Sequence, residues 1–382
     1  MREEARPGER TGMEGRHKAA PTDARRQNRS LLLRALFRAG PMSRADLARA
    51  SGLTPTTVST VIGELVDAGV IEEAGRTATG SVGKPATLVS VVADAWHVVC
   101  LDLSNDDQIR GAVVNLACKP VTTRSVRRRS DAGTLLWGQQ VADLAVTLAR
   151  ELADSSTRPL LGVGVSTPGV VDTDGVVTLS THLGFDNVAL GALLAERLRL
   201  PVRVANDAHA AALGELALAP GVSENLLLVR ITEGIGAGIV LNHQLYTGAT
   251  QAAGEIGHVV VNPRGDVCPC GKRGCLETVV SVPIAKLRAS GRVDRPTLVR
   301  AGRHLGAAVA HLVSALDLDT VVLSGIDEAL GEPFRLATLD EIRKRTLDGL
   351  GQRLDLRLSD FGDDDALTGA AVLILDQELG LA

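Results

Sequence analysis

The sequence of 382 residues lacks any apolar run long enough to cross a lipid bilayer. Its charged N-terminus, which includes Arg2, Glu3, Glu4 and Arg6, lacks the apolar core of a secretory signal. Cysteines are few, and their number, five, is odd. These absences argue against a membrane protein and against a disulfide framework, and they favour a cytoplasmic protein with no membrane partner.

Charge is distributed unevenly along the chain. Residues 1–92 contain fourteen Lys or Arg and ten Asp or Glu, a net charge of +4, whereas the whole chain has a net charge of −4. Residues 93–382 therefore carry a net charge of −8. A basic front on an acidic body is typical of a small nucleic-acid-binding module joined to a larger domain, although a difference of +4 also arises by chance.

The first quarter of the chain has the pattern of a winged helix-turn-helix. Residues 1–26 are charged and poor in large apolar side chains, which predicts a disordered basic arm. Residues 27–92 predict three helices, over 28–39, 44–50 and 54–69, followed by a strand, a Gly-rich turn and a second strand. In the third helix Thr54 is the expected cap, Pro55 occupies the first helical position, and one face is apolar.

The opposite face of the third helix carries short hydroxyl side chains, which suit close approach to base edges and phosphates in a major groove. Arg76 and Lys84 lie on the predicted wing. The predicted DNA-contacting residues are Arg44, Thr54, Thr56, Thr57, Ser59, Thr60, Arg76 and Lys84. A winged helix that contacts protein is the alternative, and the absence of apolar residues from the polar face makes it less attractive.

Residues 93–382 predict a separate domain of a different class. From about Trp96 onward, strands alternate with helices in two sets, and the second set begins near Asn225. This alternation predicts an α/β domain of two lobes with a cleft between them.

Three cysteines are clustered within eight residues, and the first of them follows a histidine by ten residues. Cys268, Cys270 and Cys275 follow His258, and together they form the Cys₃His ligand set of a structural zinc site. All four positions are filled by protein, so the ion is expected to hold a loop and not to activate water. The alternative is three free cysteines on a turn. Cys100 and Cys118 stand apart and are expected to be small buried apolar residues.

Several motifs together resemble the signature of the ROK family, which comprises repressors, open reading frames and sugar kinases. The motifs are Gly-Ile-Gly-Ala-Gly-Ile-Val at 234–240, Ala-Gly-Glu-Ile-Gly-His at 253–258, the cysteine segment 268–277, Thr-Pro-Gly-Val-Val-Asp at 167–172 and Asn-Asp-Ala at 206–208. The resemblance spans residues 27–382, because the repressor branch of this family also carries an N-terminal winged helix. It implies a two-lobed actin-like or hexokinase-like (ribonuclease H-like) ATPase fold behind the winged helix-turn-helix.

The resemblance also implies a sugar pocket lined by Gly169, Asn206, Asp207, Glu255, His258 and Glu277. Carboxylates accept hydrogen bonds from adjacent sugar hydroxyls, and a histidine with one ring nitrogen on zinc can direct the other toward a hydroxyl. For each acid taken alone, a solvated surface charge is the alternative. The family usually has Asn where this chain has His209, so the identity of the sugar and its phosphorylation state stay open.

A nucleotide site is harder to find in the sequence. In kinases of this family the residue matching Asp207 resembles the general base, and Asp-x-Gly-Gly-Thr follows the first strand. Here the corresponding segment 102–107 has no glycine and contains Asp106 and Asp107, and an expected Gly-Gly reads Ser324-Gly325. We therefore expect a vestigial base at Asp207 and no enzyme activity. The alternative is an active sugar kinase with an accessory DNA-binding domain.

The sequence thus predicts a sugar-responsive transcriptional regulator, with a repressor favoured over an activator. We expect a homodimer or homotetramer on a palindromic double-stranded DNA operator, with a sugar or sugar phosphate as effector and structural zinc as the only cofactor. A protein partner in place of the sugar is a third possibility on which the sequence is silent.

Overall fold

The computed structural model describes residues 21–76, 86–129, 133–184, 186–326 and 328–380. The first 20 residues of the predicted arm and the predicted wing residue Lys84 lie outside these ranges. Inside them the chain forms a small N-terminal domain followed by two α/β lobes. A search of the same ranges found no helix with the length and apolar character needed to span a membrane.

The N-terminal domain is a winged helix-turn-helix, as predicted. Its elements are α1 (Pro21–Ala39), β1 (Met42–Ser43), α2 (Arg44–Ser51), α3 (Pro55–Asp67), β2 (Ile71–Arg76) and β3 (Thr87–Val91). The three strands form an antiparallel sheet in the order β1-β3-β2. Leu47 of α2 and the apolar stripe of α3 are buried beneath it.

Local sequence determines where α2 and α3 begin. The Ser43 hydroxyl accepts a hydrogen bond from the Asp46 backbone N–H, and the Thr54 hydroxyl accepts one from the Thr57 N–H, each at 3.2 Å. These are N-caps that satisfy backbone donors left open at a helix start. Gly52 ends α2 in the left-handed conformation with φ of 70°.

Helix α1 is longer than the sequence predicted. It begins at Pro21, not at residue 28, so residues 21–26 of the predicted disordered arm are helical. Arg25 in this extension forms an ion pair with Glu64 of α3. The added turns therefore have a partner within the domain, which a reading of composition alone missed.

The first lobe is built on a five-stranded sheet with the order β10-β7-β4-β5-β6. Strands β4 to β6 are an antiparallel meander, and β7 and β10 extend the sheet in parallel from β4. The strands are β4 (His97–Asp102), β5 (Gln108–Asn115), β6 (Pro120–Arg127), β7 (Leu160–Thr167) and β10 (Val202–Asn206), and a small hairpin of β8 (Val170–Val171) and β9 (Val177–Leu179) lies beside them.

The second lobe repeats this topology. Its sheet has the order β13-β12-β11-β14-β15, in which β11 to β13 are an antiparallel meander and β14 and β15 extend the sheet in parallel. The strands are β11 (Leu226–Ile231), β12 (Ile235–Leu241), β13 (Gln244–Tyr246), β14 (Thr320–Ser324) and β15 (Asp355–Leu358). The predicted pair of α/β sets is thus two copies of one arrangement.

Helices cover both sheets, and two of them lie between the lobes. In the first lobe α4 (Thr134–Ser155) and α5 (Leu190–Leu198) cover the outer face. The second lobe carries α7 (Leu276–Val279), α8 (Ser281–Ser290), α9 (Arg295–Leu316), α10 (Glu328–Arg345) and α11 (Leu350–Arg353). Helix α6 (Asp207–Leu218) packs on β11 and β12, while α12 (Asp365–Leu379) packs on β4, β7 and α6.

The winged helix-turn-helix shares its hydrophobic core with the first lobe. One cluster of buried residues contains Leu32, Leu33 and Leu36 of α1 together with Leu375 and Leu379 of α12. It also includes side chains of β4 and β5 that face α12. Separating the two domains would expose this apolar surface to water, at a cost of about 25 cal/mol per Å². The continuous core therefore links the position of the N-terminal domain to that of α12.

Candidate functional site

The predicted metal ligands lie together in the second lobe. The ligand atoms of His258, Cys268, Cys270 and Cys275 are all within 4.8 Å of one another. His258 Nδ1 lies 3.5 Å from the Cys268 sulfur, and the sulfurs of Cys270 and Cys275 are 3.6 Å apart. Three thiols and one imidazole at this spacing could hold a metal ion.

The cysteine segment folds back on itself, which brings distant ligands together. Bridges pair Val260 with Cys275 and Val267 with Arg273. At Gly274, φ is +68°, and a side chain there would collide with the backbone of Asn262. Cys275 then directly precedes α7, so the same turn fixes Glu277 two residues later.

The six predicted sugar-pocket residues line one cavity between the lobes. They are Gly169, Asn206, Asp207, Glu255, His258 and Glu277, and the cavity is also lined by Ser104, Pro168, Thr181, His182 and residues 232–236. Glu277 and Asp207 are buried, with exposed fractions of 3% and 8%. The structure therefore brings together these six residues from four separate segments, while their contact with a sugar stays a prediction.

Asn206 holds the pocket wall as well as lining the pocket. Its Oδ1 accepts hydrogen bonds from the backbone N–H groups of Ala208 (2.9 Å) and His209 (3.1 Å) and so caps α6. Its Nδ2 donates to the Gly169 carbonyl at 2.9 Å. Most of its hydrogen-bonding capacity is thus used within the protein, and its main effect is to fix Asp207 and Gly169 relative to each other.

His258 connects the metal cluster to the pocket. Its Nδ1 faces the cysteines, and its Nε2 lies 3.4 Å from the Thr181 hydroxyl on the pocket wall. A metal on Nδ1 would therefore fix the orientation of the ring that the pocket presents, as the sequence analysis anticipated.

The pocket holds several carboxylates in a small volume. Burial, together with the negative charges of Asp207 and Glu277, raises the pKa of Glu255 to about 7. A carboxyl group in this state both donates and accepts hydrogen bonds near neutral pH. Such groups suit a ligand whose hydroxyls both donate and accept hydrogen bonds.

His182 is a pocket residue that the sequence analysis missed. Its Nε2 lies 3.6 Å from Glu277 Oε2, and the neighbouring carboxylate of Glu277 raises the pKa of the ring. A side chain at Gly234 would collide with His182, so the glycine-rich segment makes room for this ring. Nothing in the spacing of His182 marked it, because its neighbours in the pocket come from remote segments.

His209 is buried but does not line the pocket. Its Nε2 donates a hydrogen bond of 2.7 Å to the carbonyl of Ala253, two residues before Glu255. Burial lowers the pKa of the ring, which therefore stays neutral. The residue supports the loop that carries Glu255.

An arginine joins the two lobes next to the pocket, and the sequence analysis missed it too. Arg230 on β11 is 4% exposed, and its Nε donates to Asp207 Oδ2 at 3.3 Å. Its two remaining nitrogens reach Asp365 at the start of α12 and the Ser104 hydroxyl, the latter at 3.1 Å. Although burial opposes its charge, the carboxylates of Asp365, Asp207 and Asp102 raise the pKa of Arg230.

The Arg230 cluster borders a second cavity of about 450 Å³. This cavity shares Ser104, Thr232 and Glu233 with the pocket and lies where the family resemblance puts a nucleotide. Three arginines line it, and all three have protein partners: Arg230 as above, Arg110 with Asp364 at 2.5 Å, and Arg288 with the Gly325 carbonyl. All three cations that line this cavity are thus engaged by protein groups, so each would have to give up a partner to receive a phosphate.

The acids predicted to repel a nucleotide are not the ones that face this cavity. Asp106 and Asp107 are exposed and lie outside its lining, and Asp106 is 3.8 Å from Arg128. The acids that do line it are Asp102, Glu233 and Asp363. The prediction that Asp106 and Asp107 repel a nucleotide here is therefore wrong, because neither of them lines the cavity, which the local sequence could not reveal.

Most of the predicted DNA-contacting side chains lie at the N-terminal end of α3, and two lie on neighbouring elements. Thr54, Thr56, Ser59 and Thr60 are exposed, and Thr57 is half-buried with its hydroxyl 2.9 Å from that of Thr54. Arg44 is half-exposed and lies 3.8 Å from Glu73 of β2, and Arg76 ends β2. Of the two cysteines outside the Cys₃His cluster, Cys100 is buried as expected, whereas Cys118 is only partly buried. Burial raises the pKa of both thiols, that of Cys118 to about 12.

The fold and cleft define a two-lobed domain of the sugar-kinase type behind a DNA-binding domain. The family description "ROK family" matches residues 99–283, and the description "Winged helix-turn-helix DNA-binding" matches residues 25–72. The chain is 25% identical to the xylose repressor of Bacillus subtilis (strain 168), over 95% of this chain and 98% of that protein. It is 29% identical to a glucokinase of Halalkalibacterium halodurans, but over only 65% of this chain and 86% of that enzyme.

Among solved structures, the chain is similar to a ROK family transcriptional regulator described as a homolog of the E. coli MLC protein. The TM-score is 0.77 at 25% identity, over 94% of this chain and 98% of that one. Residues 99–283 thus form a ROK family domain behind a winged helix-turn-helix, and the similarity over nearly the whole chain to repressors identifies the protein as a DNA-binding transcriptional regulator.

Proposed function

We propose that this protein is a sequence-specific transcriptional repressor of sugar uptake or catabolism genes, and that a sugar or sugar phosphate in the cleft sets its operator affinity. The observation that carries the proposal is the pairing of Asp207 with Arg230. Both oxygens of Asp207 already accept hydrogen bonds, Oδ2 from Arg230 and Oδ1 from the backbone N–H of Ala208, whereas a general base needs an oxygen that is open to the substrate. The same cleft nevertheless keeps the acids that bind hydroxyls.

Ligand recognition would rest on Glu255, Glu277 and Asp207. Hydrogen bonds between hydroxyls and charged groups contribute about 1.5–3 kcal/mol each. Glu255, whose pKa is raised to about 7, would donate as well as accept such a bond. His258 and His182 would close the same side of the pocket.

The Cys₃His cluster would hold zinc in a closed, structural site. When bound, zinc supplies four fixed ligand directions and no open position for water. The chain's own residues then do the work at the pocket: His258 keeps its Nε2 toward Thr181, and Cys275 fixes the start of α7 and hence Glu277.

Helix α3 would enter a major groove of DNA with its exposed hydroxyl face. A homodimer or homotetramer would present two such helices to a palindromic operator, with half-sites one helical turn or more apart. The wing and Arg44 would contact the backbone phosphates.

The proposal is tested by measuring operator binding with and without ligand. DNA from upstream of the gene and its neighbours is titrated by fluorescence anisotropy, and a library of sugars and sugar phosphates is screened by thermal shift, because a ligand of the native state raises Tm. We expect sequence-specific binding that at least one stabilising sugar changes. Sequence-independent binding, or operator binding that no stabilising sugar alters, would refute it.

The DNA face is tested with Thr56→Ala and Ser59→Ala. Each removes an exposed hydroxyl from α3, and we expect operator affinity to fall about fivefold or more with unchanged thermal stability. Thr147→Ala, an exposed threonine of α4, is the matched control and should bind as the unaltered protein does.

A further inference from the structure

We propose that the Arg230–Asp365 pair and helix α12 form the mechanical link between the cleft and the DNA-binding domain. The inference rests on the proposed function, since it explains how occupancy of the pocket reaches the operator-binding helices. It assigns coupling roles to Arg230, Asp365 and Arg34, none of which binds the ligand directly.

The near end of the link is the buried ion-pair cluster. Arg230 divides its guanidinium among Asp207, Ser104 and Asp365, and the first two of these line the pocket. A hydroxyl that donates to Asp207 competes with Arg230 for the same carboxylate. The side chain of Asp365 has no solvent exposure, so Arg230 cannot change its partners without moving Asp365 or leaving a buried charge poorly paired.

The middle of the link is helix α12, which is expected to move as a rigid body. Helix α12 has 15 residues, which gives a length of about 22 Å, and it is buried over most of its surface. It lies between β4 and β7 on one side and α6 on the other. A displacement at Asp365 is therefore carried along the helix, because close-packed cores transmit strain and do not absorb it.

The far end of the link contacts the winged helix-turn-helix. The Gly380 carbonyl, just beyond α12, accepts hydrogen bonds from Arg34 of α1 at 2.9 Å (Nη2) and 3.2 Å (Nε). Leu375 and Leu379 of α12 share a buried cluster with Leu32, Leu33 and Leu36 of α1. The same cluster includes Val58 and Ile62 of α3, so α12 reaches the core that supports the helix expected to bind DNA.

The link is tested with variants at both ends. Asp365→Asn keeps the shape of the side chain and weakens the pairing with Arg230, whereas Arg34→Met removes the bond to Gly380 about 20 Å away from the pocket. The ratio of operator Kd with and without saturating sugar is measured by anisotropy, and sugar Kd by calorimetry. Couplings of this kind are typically about 5- to 150-fold.

We expect both variants to bring the ratio to within about twofold of one, and Arg34→Met to leave sugar Kd unchanged. Arg357→Lys is the control for the near end, because it alters a different ion pair with a buried acid, that of Arg357 with Glu215 at 2.8 Å, which includes neither Arg230 nor Asp365. Arg38→Met, an exposed arginine of the same helix, is the control for Arg34. Full coupling in Asp365→Asn or in Arg34→Met would overturn the link.

A readout that needs no sugar separates this inference from the proposed function. In the ligand-free protein, hydrogen exchange of backbone amides in residues 32–36 and 375–380 should accelerate in Asp365→Asn and stay unchanged in Arg357→Lys. Unchanged exchange in Asp365→Asn would overturn the link even where sugar acts on the operator. If instead exchange changes but sugar never affects the operator of the unaltered protein, the proposed function fails.

Discussion

The two sides of the cleft have diverged in opposite ways. On one side, the loop that carries the Cys₃His cluster, two histidines and four acids converge on one pocket. On the nucleotide side, the space that would receive phosphates is bordered by three arginines that already have protein partners. The difference indicates that the two sides of one cleft can be organised independently, because ion pairs within the protein satisfy the charges on one side while polar groups on the other side face an open pocket.

The replacement also changes what Asp207 does. In a kinase arrangement a carboxylate at this position must be free to accept a proton, whereas here Arg230 holds it. The residue becomes part of a buried charge cluster that spans β11, α6 and α12. Under the proposed function this position serves sensing and not chemistry, because a ligand at Asp207 would perturb that cluster.

The largest effect should follow from loss of the metal, because the loop that carries the Cys₃His cluster forms part of the sugar side of the cleft. Cys270→Ser deletes one thiolate of the cluster, and since metal binding contributes folding free energy, we expect loss of the ion and a fall in Tm of roughly 10 °C. Metal content is measured by elemental analysis and Tm by calorimetry. Cys118→Ser, outside the cluster, is the control and should keep its metal; a Cys270→Ser protein with full metal content would refute the site.

Removing the internal cation should have the next largest effect. Arg230→Met leaves Asp365 buried without its partner, and breaking a buried pair in this way costs about 3–5 kcal/mol. Denaturant unfolding measures the loss. Adding Asp365→Asn to the same protein should recover part of it, because the unpaired charge is then gone. A single variant within about 1 kcal/mol of the unaltered protein would mean that the nucleotide side is not held by this pair.

A smaller effect, confined to ligand binding, is expected on the sugar side. Glu255→Ala removes a carboxyl group from the pocket, so the effective sugar should bind about 10- to 100-fold more weakly while operator binding without sugar stays intact. Calorimetry and anisotropy give the two values. Glu196→Ala, an exposed acid of α5, provides the comparison. Should sugar still act on the Glu255→Ala protein at its usual concentration, Glu255 does not belong to the site.

The sequence could predict those residues of the site that lie within short motifs. The Cys₃His cluster lies in a compact segment, so its spacing reflects its geometry, whereas the six pocket residues were implied by the family resemblance of the motifs that carry them. The two-lobed fold and the winged helix follow from periodicity and capping residues in the same way. Boundaries were less predictable, as the early start of α1 at Pro21 illustrates.

Long-range pairings were out of reach of the sequence. Arg230 and Asp365 are separated by 135 positions, and His182 meets Glu277 only because two lobes fold together. One local clue existed: Arg230 is the single charged residue in the otherwise apolar strand Leu226–Ile231, and a charge in a buried strand requires a partner. That clue identifies a buried cation without identifying what pairs with it.

The variant expected to change least tests why the nucleotide side of the cleft does not bind ATP. Ser104→Gly combined with Asn105→Gly returns glycines to the loop after β4, where kinases of the family have them. We expect no gain of ATP binding by calorimetry, because Arg230 keeps its three carboxylates and Arg110 keeps Asp364 whatever the loop sequence. Saturable ATP binding by this double variant would show that the loop, and not the paired arginines, closes the nucleotide side. The same substitutions in the Arg230→Met, Asp365→Asn protein then test whether both barriers must be removed together.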